Sequence, residues 1–324
     1  MSRQISTWKF IKKSYEENIP VMLLYVLESI GSSPGRQGFF MAVNGAKEMV
    51  GSIGGGIMEH KFVEMAKEQL RAMSFELKVK QQIHDKAAAK NQSGMICSGE
   101  QTILIYRIQE EDIKQIGKII AMLERKSNGT LHLSPQGILF EDAHPKKDYE
   151  FNLNTEEDWT YSEKVGYKNH LYIFGGGHCA LAFCKLMSTM DFYIHLFEDR
   201  EGLNTMQAND YAHEKKVVKD YSELTDLIPP GENKYVVIMT FGYRSDDIAV
   251  RALLNKNFKY IGLLGSKKKI EKMFEDYKTE GISAELLDKI HSPIGVEIKS
   301  ETPEEIAVSI AAEIIKVKNQ KADQ

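Results

Sequence analysis

The residues most able to bind a ligand lie in a glycine-rich loop just past the middle of the chain. Four apolar residues, 171–174, run into Gly175-x-Gly177-x-x-Ala180, and a helical pattern begins at His178. A strand, a tight turn and a helix start in this order expose backbone N–H groups and the positive end of the helix dipole to a phosphate. We therefore expect a nucleotide-like ligand here. The alternative is that the glycines serve only the packing of helix against strand.

The acidic pair Glu198 and Asp199 supports the same interpretation. It follows the next apolar run, 192–197. An acid about 20 residues beyond such a loop hydrogen-bonds ribose hydroxyls in dinucleotide-binding folds. Cys179 opens the predicted helix, where the helix dipole favours a thiolate. A small residue packed under the loop is the preferred interpretation of Cys179.

Two later strand ends are predicted to share a rim with the glycine loop. Thr240 follows the buried run 235–239, and Gly265 and Ser266 follow the run 259–264. Ligands of open parallel sheets bind beyond the carboxyl ends of the strands, so these residues are further contact candidates. The alternative for Ser266 is to cap the helix that comes next.

The first half of the chain contains two further glycine-rich loops, 31–38 and 51–56. The second loop places three glycines directly before a predicted helix, where backbone N–H groups are open to an anion or a flat polar ring. An acid in the first helical turn can face that loop, or it can serve only as a partner of the helix dipole. An arginine in the first loop is a candidate phosphate contact, with a solvated surface charge as the alternative. The candidate residues of this half are Gly54, Gly55, Gly56, Glu59 and Arg36.

Cys97 lies in a third glycine-containing turn, 94–99, just before the predicted strand 101–107. A cysteine at such a turn is less expected to fill a core than Cys184, which lies within a helical pattern among Leu, Phe and Met. A reactive or sulfur-ligating role for Cys97 is therefore open. No His or Cys lies nearby in sequence at the spacing of metal ligands.

The order of the predicted elements divides the chain into three parts. Residues 1–126 mix helices and strands and predict an α+β domain. Residues 127–168 are rich in turn signals and predict a linker with short edge strands. Residues 169–324 alternate strands and helices, which predicts a Rossmann-like parallel sheet with helices on both faces. The expected fold class is α/β, with an N-terminal α+β domain followed by a Rossmann-like parallel-sheet domain.

The individual elements follow from periodicity and turn signals. Thr302, Pro303 and Glu305 predict the start of the last helix through a capping box. The other predicted helices are 6–17, 57–73 and 112–124, and the predicted strands are 21–27, 39–43, 75–83, 101–107, 171–174, 192–197, 235–240 and 259–264.

Composition excludes several classes of function. A chain of 324 residues, 42% of them hydrophobic, is long enough for two cores, and a net charge of −4 leaves no electrostatic footprint for nucleic acid. No apolar run of about 18 residues predicts a membrane span, and the first ten residues lack the apolar core of a signal peptide. Three scattered cysteines do not form a disulfide framework. We therefore expect a cytoplasmic protein with no nucleic-acid or membrane partner.

Together these motifs resemble the xanthine dehydrogenase accessory family, also called the XdhC/CoxI family. The likeness covers both halves of the chain. Two departures stand out: Ser98 replaces the middle glycine of the family's Cys-Gly-Gly-type motif, and Phe241 stands where many members carry a histidine. The motifs that carry the likeness are Gly31-Ser-Ser-Pro34, Gly51-Ser-Ile-Gly-Gly-Gly56 with Glu59, Cys97-Ser-Gly99, Phe174-Gly-Gly-Gly-His178, Glu198-Asp-Arg200, Thr240 with Asp246-Asp247, Gly262-Leu-Leu-Gly-Ser266, His291-Ser-Pro-Ile-Gly295 and Thr302-Pro-Glu-Glu-Ile-Ala307.

The resemblance implies a chaperone that binds the molybdenum cofactor (molybdopterin) and is not itself an enzyme. It also implies that a cysteine desulfurase sulfurates the bound cofactor, that the cofactor is inserted into a xanthine dehydrogenase-like enzyme, and that the chain forms a homodimer. Cys97 would contact the metal, since thiolate suits a thiophilic centre. Glu59 would pair with the pterin N–H groups, and the glycine loops would take the phosphate.

Two other functions fit parts of the sequence. An NAD(P)-dependent oxidoreductase would use the loop 175–180 and Glu198 to hold its cofactor. Such an enzyme needs a proton donor near the nicotinamide, and His178 in the phosphate loop is badly placed for that role. A scaffold that docks a desulfurase and a client enzyme without binding any ligand is the third hypothesis.

Overall fold

The computed structural model describes residues 2–72, 77–83, 99–143 and 147–320. The chain divides into two compact units, Met1–Gly166 and Tyr167–Gln324. Each unit has its own sheets and cores.

The first unit is α+β, as predicted. Its elements in chain order are α1 (Ser2–Glu16), β1 (Val21–Gly31), β2 (Phe40–Asn44), β3 (Met49–Gly51), α2 (Gly56–Ala72), β4 (Lys78–Ile83), β5 (Gly99–Arg107), α3 (Glu110–Glu124), β6 (Gly129–Ser134), β7 (Gly137–Glu141), β8 (Tyr149–Leu153) and β9 (Trp159–Val165).

A five-stranded antiparallel sheet, in the order β3-β2-β1-β5-β4, is the centre of this unit. Its middle strand β1 is buried on both faces, which explains the unbroken apolar run at its start. Leu23 and Tyr25 face one core with helices α1 and α3. Met22 and Leu24 face the other core with α2.

The interval 127–168, expected to be a linker with short edge strands, contains its short strands but packs them into a sheet of the first unit. It forms a second antiparallel sheet, in the order β7-β6-β9-β8. The apolar side chains of this sheet join the larger core of the first unit, with Trp159 and Tyr161 each 1% exposed. The turn signals at 134–137 and 155–158 mark hairpins, so a turn-rich composition did not separate a folded sheet from a linker.

The second unit contains the predicted alternation of strands and helices. Its elements are β10 (Asn169–Phe174), α4 (His178–Met187), β11 (Phe192–Glu198), α5 (Asn204–Gln207), β12 (Glu214–Val217), a 3₁₀ turn (Tyr221–Glu223), α6 (Leu224–Leu227), β13 (Gly231–Ile238), α7 (Tyr243–Leu253), β14 (Phe258–Leu263), α8 (Lys267–Thr279), α9 (Ala284–Leu287), β15 (Ile290–His291) and α10 (Pro303–Asn319).

The six strands of this unit pair in parallel in the order β12-β11-β10-β13-β14-β15. Helices α4 and α10 pack with one face of the sheet. Helices α6 to α9 pack with the other face. The Rossmann-like prediction is confirmed, including helices on both faces.

The start of α10 is the capping box that the sequence predicts. The Thr302 hydroxyl accepts a hydrogen bond from the Glu305 backbone N–H at 3.2 Å, and the Glu305 carboxylate accepts one from the Thr302 N–H at 3.2 Å. Across the described part of the chain, no helix is long and apolar enough to cross a bilayer.

Candidate functional site

The candidate site of the second unit lies where its strand order reverses. The chain runs from β10 outward to β11 and β12, and then returns to β13 on the other side of β10. In open parallel sheets this switch point leaves a crevice beyond the carboxyl ends of the two central strands. The glycine loop follows β10 and Thr240 follows β13, so the structure brings these predicted residues to one edge.

The glycine loop is seated tightly on the end of β13. Gly175 has a φ of +107°, and a Cβ at this position would lie 2.3 Å from the Met239 carbonyl oxygen and 2.9 Å from the Thr240 Cα. Only glycine fits that approach. Gly177 is different, because a Cβ there would meet no atom within 4 Å. The loop is therefore closed against the sheet at Gly175 and open at Gly177, where α4 begins with the exposed His178.

Glu198 is buried under this loop, with 0% of the residue exposed. Its carboxylate accepts hydrogen bonds from the Gly176 N–H at 2.6 Å and from the Arg200 Nε and Nη2 at 2.7 and 3.0 Å. Burial alone raises the pKa of a carboxyl, but these donors outweigh it and lower the pKa of Glu198 to about 2. Glu198 is therefore a charged brace of the loop, and its carboxylate presents no surface to a ligand.

Asp199, the second predicted acid, is partly exposed and lies beside this brace. It accepts a hydrogen bond from the Ser245 hydroxyl at 3.3 Å, and its Oδ1 is 3.9 Å from the Arg200 Nε. Burial, together with the neighbouring Glu198, raises the pKa of Asp199. Of the two acids, Asp199 is the one whose carboxylate reaches the surface of the crevice.

A buried polar cluster fixes the ends of β13 and β14. Asp246, 0% exposed, accepts hydrogen bonds from the Thr240 hydroxyl at 2.6 Å and the Thr240 N–H at 3.2 Å. Its other oxygen is paired with Lys269, which also donates to the Leu264 carbonyl at 3.3 Å. Asp246 thus ties the end of β13 to α8.

Gly265 and Ser266 lie at the start of α8, next to this cluster. The Ser266 hydroxyl accepts the Lys269 backbone N–H at 3.3 Å as the N-cap of the helix. The Lys269 side chain passes Gly265, where a Cβ would be 3.0 Å from its Cε. The Ser266 hydroxyl therefore caps α8, as the alternative interpretation predicts. The missing side chain of Gly265 leaves room for Lys269.

The two described cysteines pack in the second unit. Cys184 is fully buried, and Cys179 packs against the same core. Burial, with the charge of Glu304, raises the pKa of the Cys179 thiol, which stays protonated near neutral pH. The geometry agrees with Cys179 as a small residue packed under the loop.

In the first unit, the two glycine loops pack directly on each other. A Cβ on Gly35 would lie 1.9 Å from the Ile53 carbonyl oxygen, and one on Gly54, whose φ is +129°, would lie 2.4 Å from the Gly35 nitrogen. The buried Gln101 side chain donates to the Gly35 carbonyl at 2.8 Å. Gly55 has a φ of +77° and no neighbour within 4 Å of a Cβ, so the pair of loops is open at that point.

Glu59 bends back from α2 onto the loop that precedes it. Its Oε2 accepts from the Ser52 hydroxyl at 2.7 Å, the Ile53 N–H at 2.9 Å and the Gly55 N–H at 3.1 Å. The carboxylate therefore braces the loop, and a ligand would have to use its other oxygen or displace these bonds. Gly56 is the exposed first residue of α2.

Arg36 is exposed and binds its own loop, because its Nη1 donates to the Gly31 carbonyl at 3.1 Å. Cys97 lies outside the described residues, and its predicted role rests on sequence alone. A search of the described residues finds no group of three or more His, Cys, Asp or Glu side chains that could hold a metal ion.

Three residues that were not among the predicted site residues organise the second unit's site: Arg200, Lys269 and Thr205. The Thr205 hydroxyl donates to the Gly176 carbonyl at 2.5 Å. Arg200 directly follows the acidic pair in the motif Glu198-Asp-Arg200, and a cation beside two acids was the signal available. The partners of Lys269 and Thr205 lie 23 and 29 residues away, so these two contacts could not be read from the local sequence.

Comparisons with known proteins agree with this architecture. Residues 14–79 match the XdhC and CoxI family, and residues 171–314 match the XdhC Rossmann domain. A xanthine dehydrogenase crystal structure from Bacillus halodurans superimposes with a TM-score of 0.68 at 21% identity, covering 98% of each chain. At that identity the likeness concerns the fold.

Two curated relatives share parts of the sequence. YqeB of Escherichia coli K12 is 24% identical over 313 residues, which are 95% of this chain and 45% of that protein. A probable xanthine dehydrogenase subunit of Bacillus subtilis 168 is 35% identical over 86 residues, 26% of this chain and 24% of that protein. The matched part of the chain thus spans less than half the length of either relative.

The second unit is a Rossmann-type domain with a glycine loop at its switch point, preceded by an α+β unit with two interlocked glycine loops. Both matched segments fall within these units. The chain belongs to the XdhC/CoxI family.

The interlocked loops predict different outcomes for two neighbouring glycines. Gly54→Ala introduces both backbone strain and a clash with Gly35, so we expect a loss of about 2–4 kcal/mol in unfolding free energy. Gly55→Ala introduces strain alone and should lose about 1 kcal/mol. Urea unfolding followed by the fluorescence of Trp8 and Trp159, both buried in this unit, measures the difference. Equal losses for the two variants would contradict the close packing of the loops.

Because Glu198 holds the loop as a charged group, the unfolding free energies of the wild type and Glu198→Gln should differ by an amount that depends on pH. The pKa of the folded state, about 2 against an ordinary 4.5, means that ionised Glu198 stabilises the protein above about pH 4.5. The wild type should exceed the variant by about 2 kcal/mol at pH 7, and the gap should shrink as the pH falls toward 2. Urea unfolding by far-UV circular dichroism measures this, with Glu201→Gln, an exposed neighbour, as control. A gap that does not change with pH would refute the brace.

Proposed function

We propose that this chain is an accessory protein that binds the molybdenum cofactor and delivers it to a xanthine dehydrogenase-like molybdenum hydroxylase. In this proposal the cofactor is cargo. A cysteine desulfurase sulfurates the cofactor while this chain holds it, and the cofactor is then inserted into the client enzyme. The chain acts as a chaperone, and a homodimer is the proposed assembly.

The observation that carries the proposal is that each unit of this family member has a glycine loop held by a carboxylate: the loop 175–177 in the second unit and the loop 51–56 in the first. Each loop ends at a helix start and is held by a carboxylate from its own unit, Glu198 in one and Glu59 in the other. Each is also open at one glycine, Gly177 or Gly55. The start of α4 suits a phosphate better than the start of α2, where Glu59 already accepts the Gly55 N–H, and molybdopterin carries a terminal phosphate or pyrophosphate.

The other groups of the cofactor also have candidate partners. The reduced pterin presents N–H donors, which the carboxylate of Glu59 could accept through the oxygen that does not hold the loop. The dithiolene-bound metal is thiophilic, and Cys97 is the proposed contact on chemical grounds. Arg36, on the first glycine loop, supplies an exposed positive charge.

The names of relatives support the proposed client. One relative is a probable subunit of a xanthine dehydrogenase, and the similar fold belongs to a protein described as a xanthine dehydrogenase. Both descriptions concern those proteins. For this chain they favour a molybdenum hydroxylase of the xanthine dehydrogenase type as the enzyme that receives the cargo.

An NAD(P)-dependent oxidoreductase is the second candidate, favoured by the strand order of the second unit, which is that of dinucleotide-binding folds. The buried position of Glu198 weakens it, because the acid expected to bind ribose is enclosed by Gly176 and Arg200. Asp199 is then the acid left for that task.

One titration separates these functions. Purified protein is titrated anaerobically with molybdopterin, NAD and NADP in separate isothermal experiments. We expect binding of molybdopterin and none of the two dinucleotides. Binding of NAD or NADP with hydride transfer would replace the proposal by the oxidoreductase, and binding of no ligand would favour a scaffold.

The proposed role of Cys97 predicts a specific loss. Cys97→Ala should retain less molybdenum after anaerobic gel filtration, because a thiolate contact is removed, while its circular dichroism matches the wild type. Cys179→Ala is the control, since this thiol packs in the second unit. Equal molybdenum retention by wild type and Cys97→Ala would remove Cys97 from the proposal.

A further inference from the structure

Phe241 is the most exposed large apolar side chain among the described residues, at 84%. It directly follows Thr240 at the carboxyl end of β13, the strand on which the glycine loop is seated. Single exposed apolar residues are ordinary on protein surfaces. Phe241 differs because its ring has a fixed charged neighbour and stands at the switch point of the sheet.

The neighbour is Arg200, whose guanidinium carbon lies 5.0 Å from the centroid of the Phe241 ring. This is the distance of a cation–π contact. Two nitrogens of the same guanidinium donate to the buried Glu198, at 2.7 and 3.0 Å. A guanidinium held in this forked geometry cannot leave the ring without breaking a buried charged pair.

Glu198 links Arg200, which contacts the Phe241 ring, to the glycine loop. Its Oε2 accepts both the Gly176 N–H and the Arg200 Nη2. The open helix start and the ring are therefore positioned by one carboxylate. Asp199 lies beside the arrangement, with its Oδ1 3.9 Å from the Arg200 Nε, and its side chain is partly exposed.

We infer that Phe241, with Arg200 behind it, is a stacking platform for a flat heteroaromatic ring whose phosphate binds at the start of α4. This inference rests on the proposed function and places the pterin of the cargo here in place of Glu59, whose carboxylate then holds only its own loop. An aromatic face stacks on heteroaromatic rings whatever their exact hydrogen-bonding pattern. Asp199 adds a preference for rings with amino or ring N–H donors, which a pterin and a guanine share.

The position of the ring is tested with Phe241→Trp. Trp8 and Trp159 are each 1% exposed, so the introduced indole is the exposed emitter of the variant. Molybdopterin and GMP should quench it, and ribose 5-phosphate, which lacks a ring, should not. Val308→Trp places an indole at another exposed site of this unit, where Val308 is 52% exposed, and corrects for light absorbed by the ligand. Equal quenching in both variants would overturn the platform.

The contribution of the ring is tested by calorimetry on Phe241→Ala, Phe241→Leu and Phe241→Tyr. Alanine and leucine should both weaken molybdopterin binding about 10-fold, since each removes the aromatic face, whereas tyrosine should bind as the wild type. The side chain is exposed, so folding of the variants, checked by circular dichroism, should be unchanged. Wild-type affinity in Phe241→Leu would overturn the platform and leave the proposed function standing.

The two ideas fail separately. If the wild type does not bind molybdopterin but GMP quenches the indole of Phe241→Trp, the proposed function is wrong and the platform is supported. If neither ligand binds to the wild type or to the variant, both are overturned.

Discussion

The carboxylate of Glu198 receives donors from three directions: the glycine loop, the following backbone, and the guanidinium of Arg200. A buried charge of this kind is tolerated only when its lone pairs are filled. Removing Arg200 would leave this buried charge without its charged partner. The loop, the arginine and the ring beyond it are therefore constrained together, and the shape of the ligand-facing edge depends on one ionised group.

In the first unit, too, a carboxylate holds a glycine loop. Glu59 holds three donors of its own loop with a single oxygen, and the glycines of that loop adopt backbone angles that other residues rarely adopt. In both units an acid accepts backbone N–H groups of a glycine turn, from the adjacent helix in the first unit and from the next strand in the second. Both loops are thus preorganised before any ligand arrives, which reduces the ordering cost of binding.

Much of the fold could be predicted from the sequence because its signals are local. The run 171–174, the glycines after it and the capping residues of α10 each act within a few positions, and the structure contains them where they were expected. The partners of those residues are not local. That Glu198 would turn inward depended on Arg200 and Gly176 together, and the hydroxyl of Ser266 could cap or bind until α8 was seen to begin there.

The second sheet of the first unit determines how long the cooperative folding unit is. The Tyr25 hydroxyl on β1 donates to Glu163 on β9 at 2.5 Å, and the rings of Tyr25 and Tyr161 meet edge to face. A fragment ending at residue 126 would lack Glu163 and Tyr161 and the apolar side chains that the second sheet adds to the core. The cooperative unit is consequently longer than the segment 14–79 by which its ancestry is recognised. The segment that identifies the family is therefore shorter than the segment that must fold for the first unit to be stable.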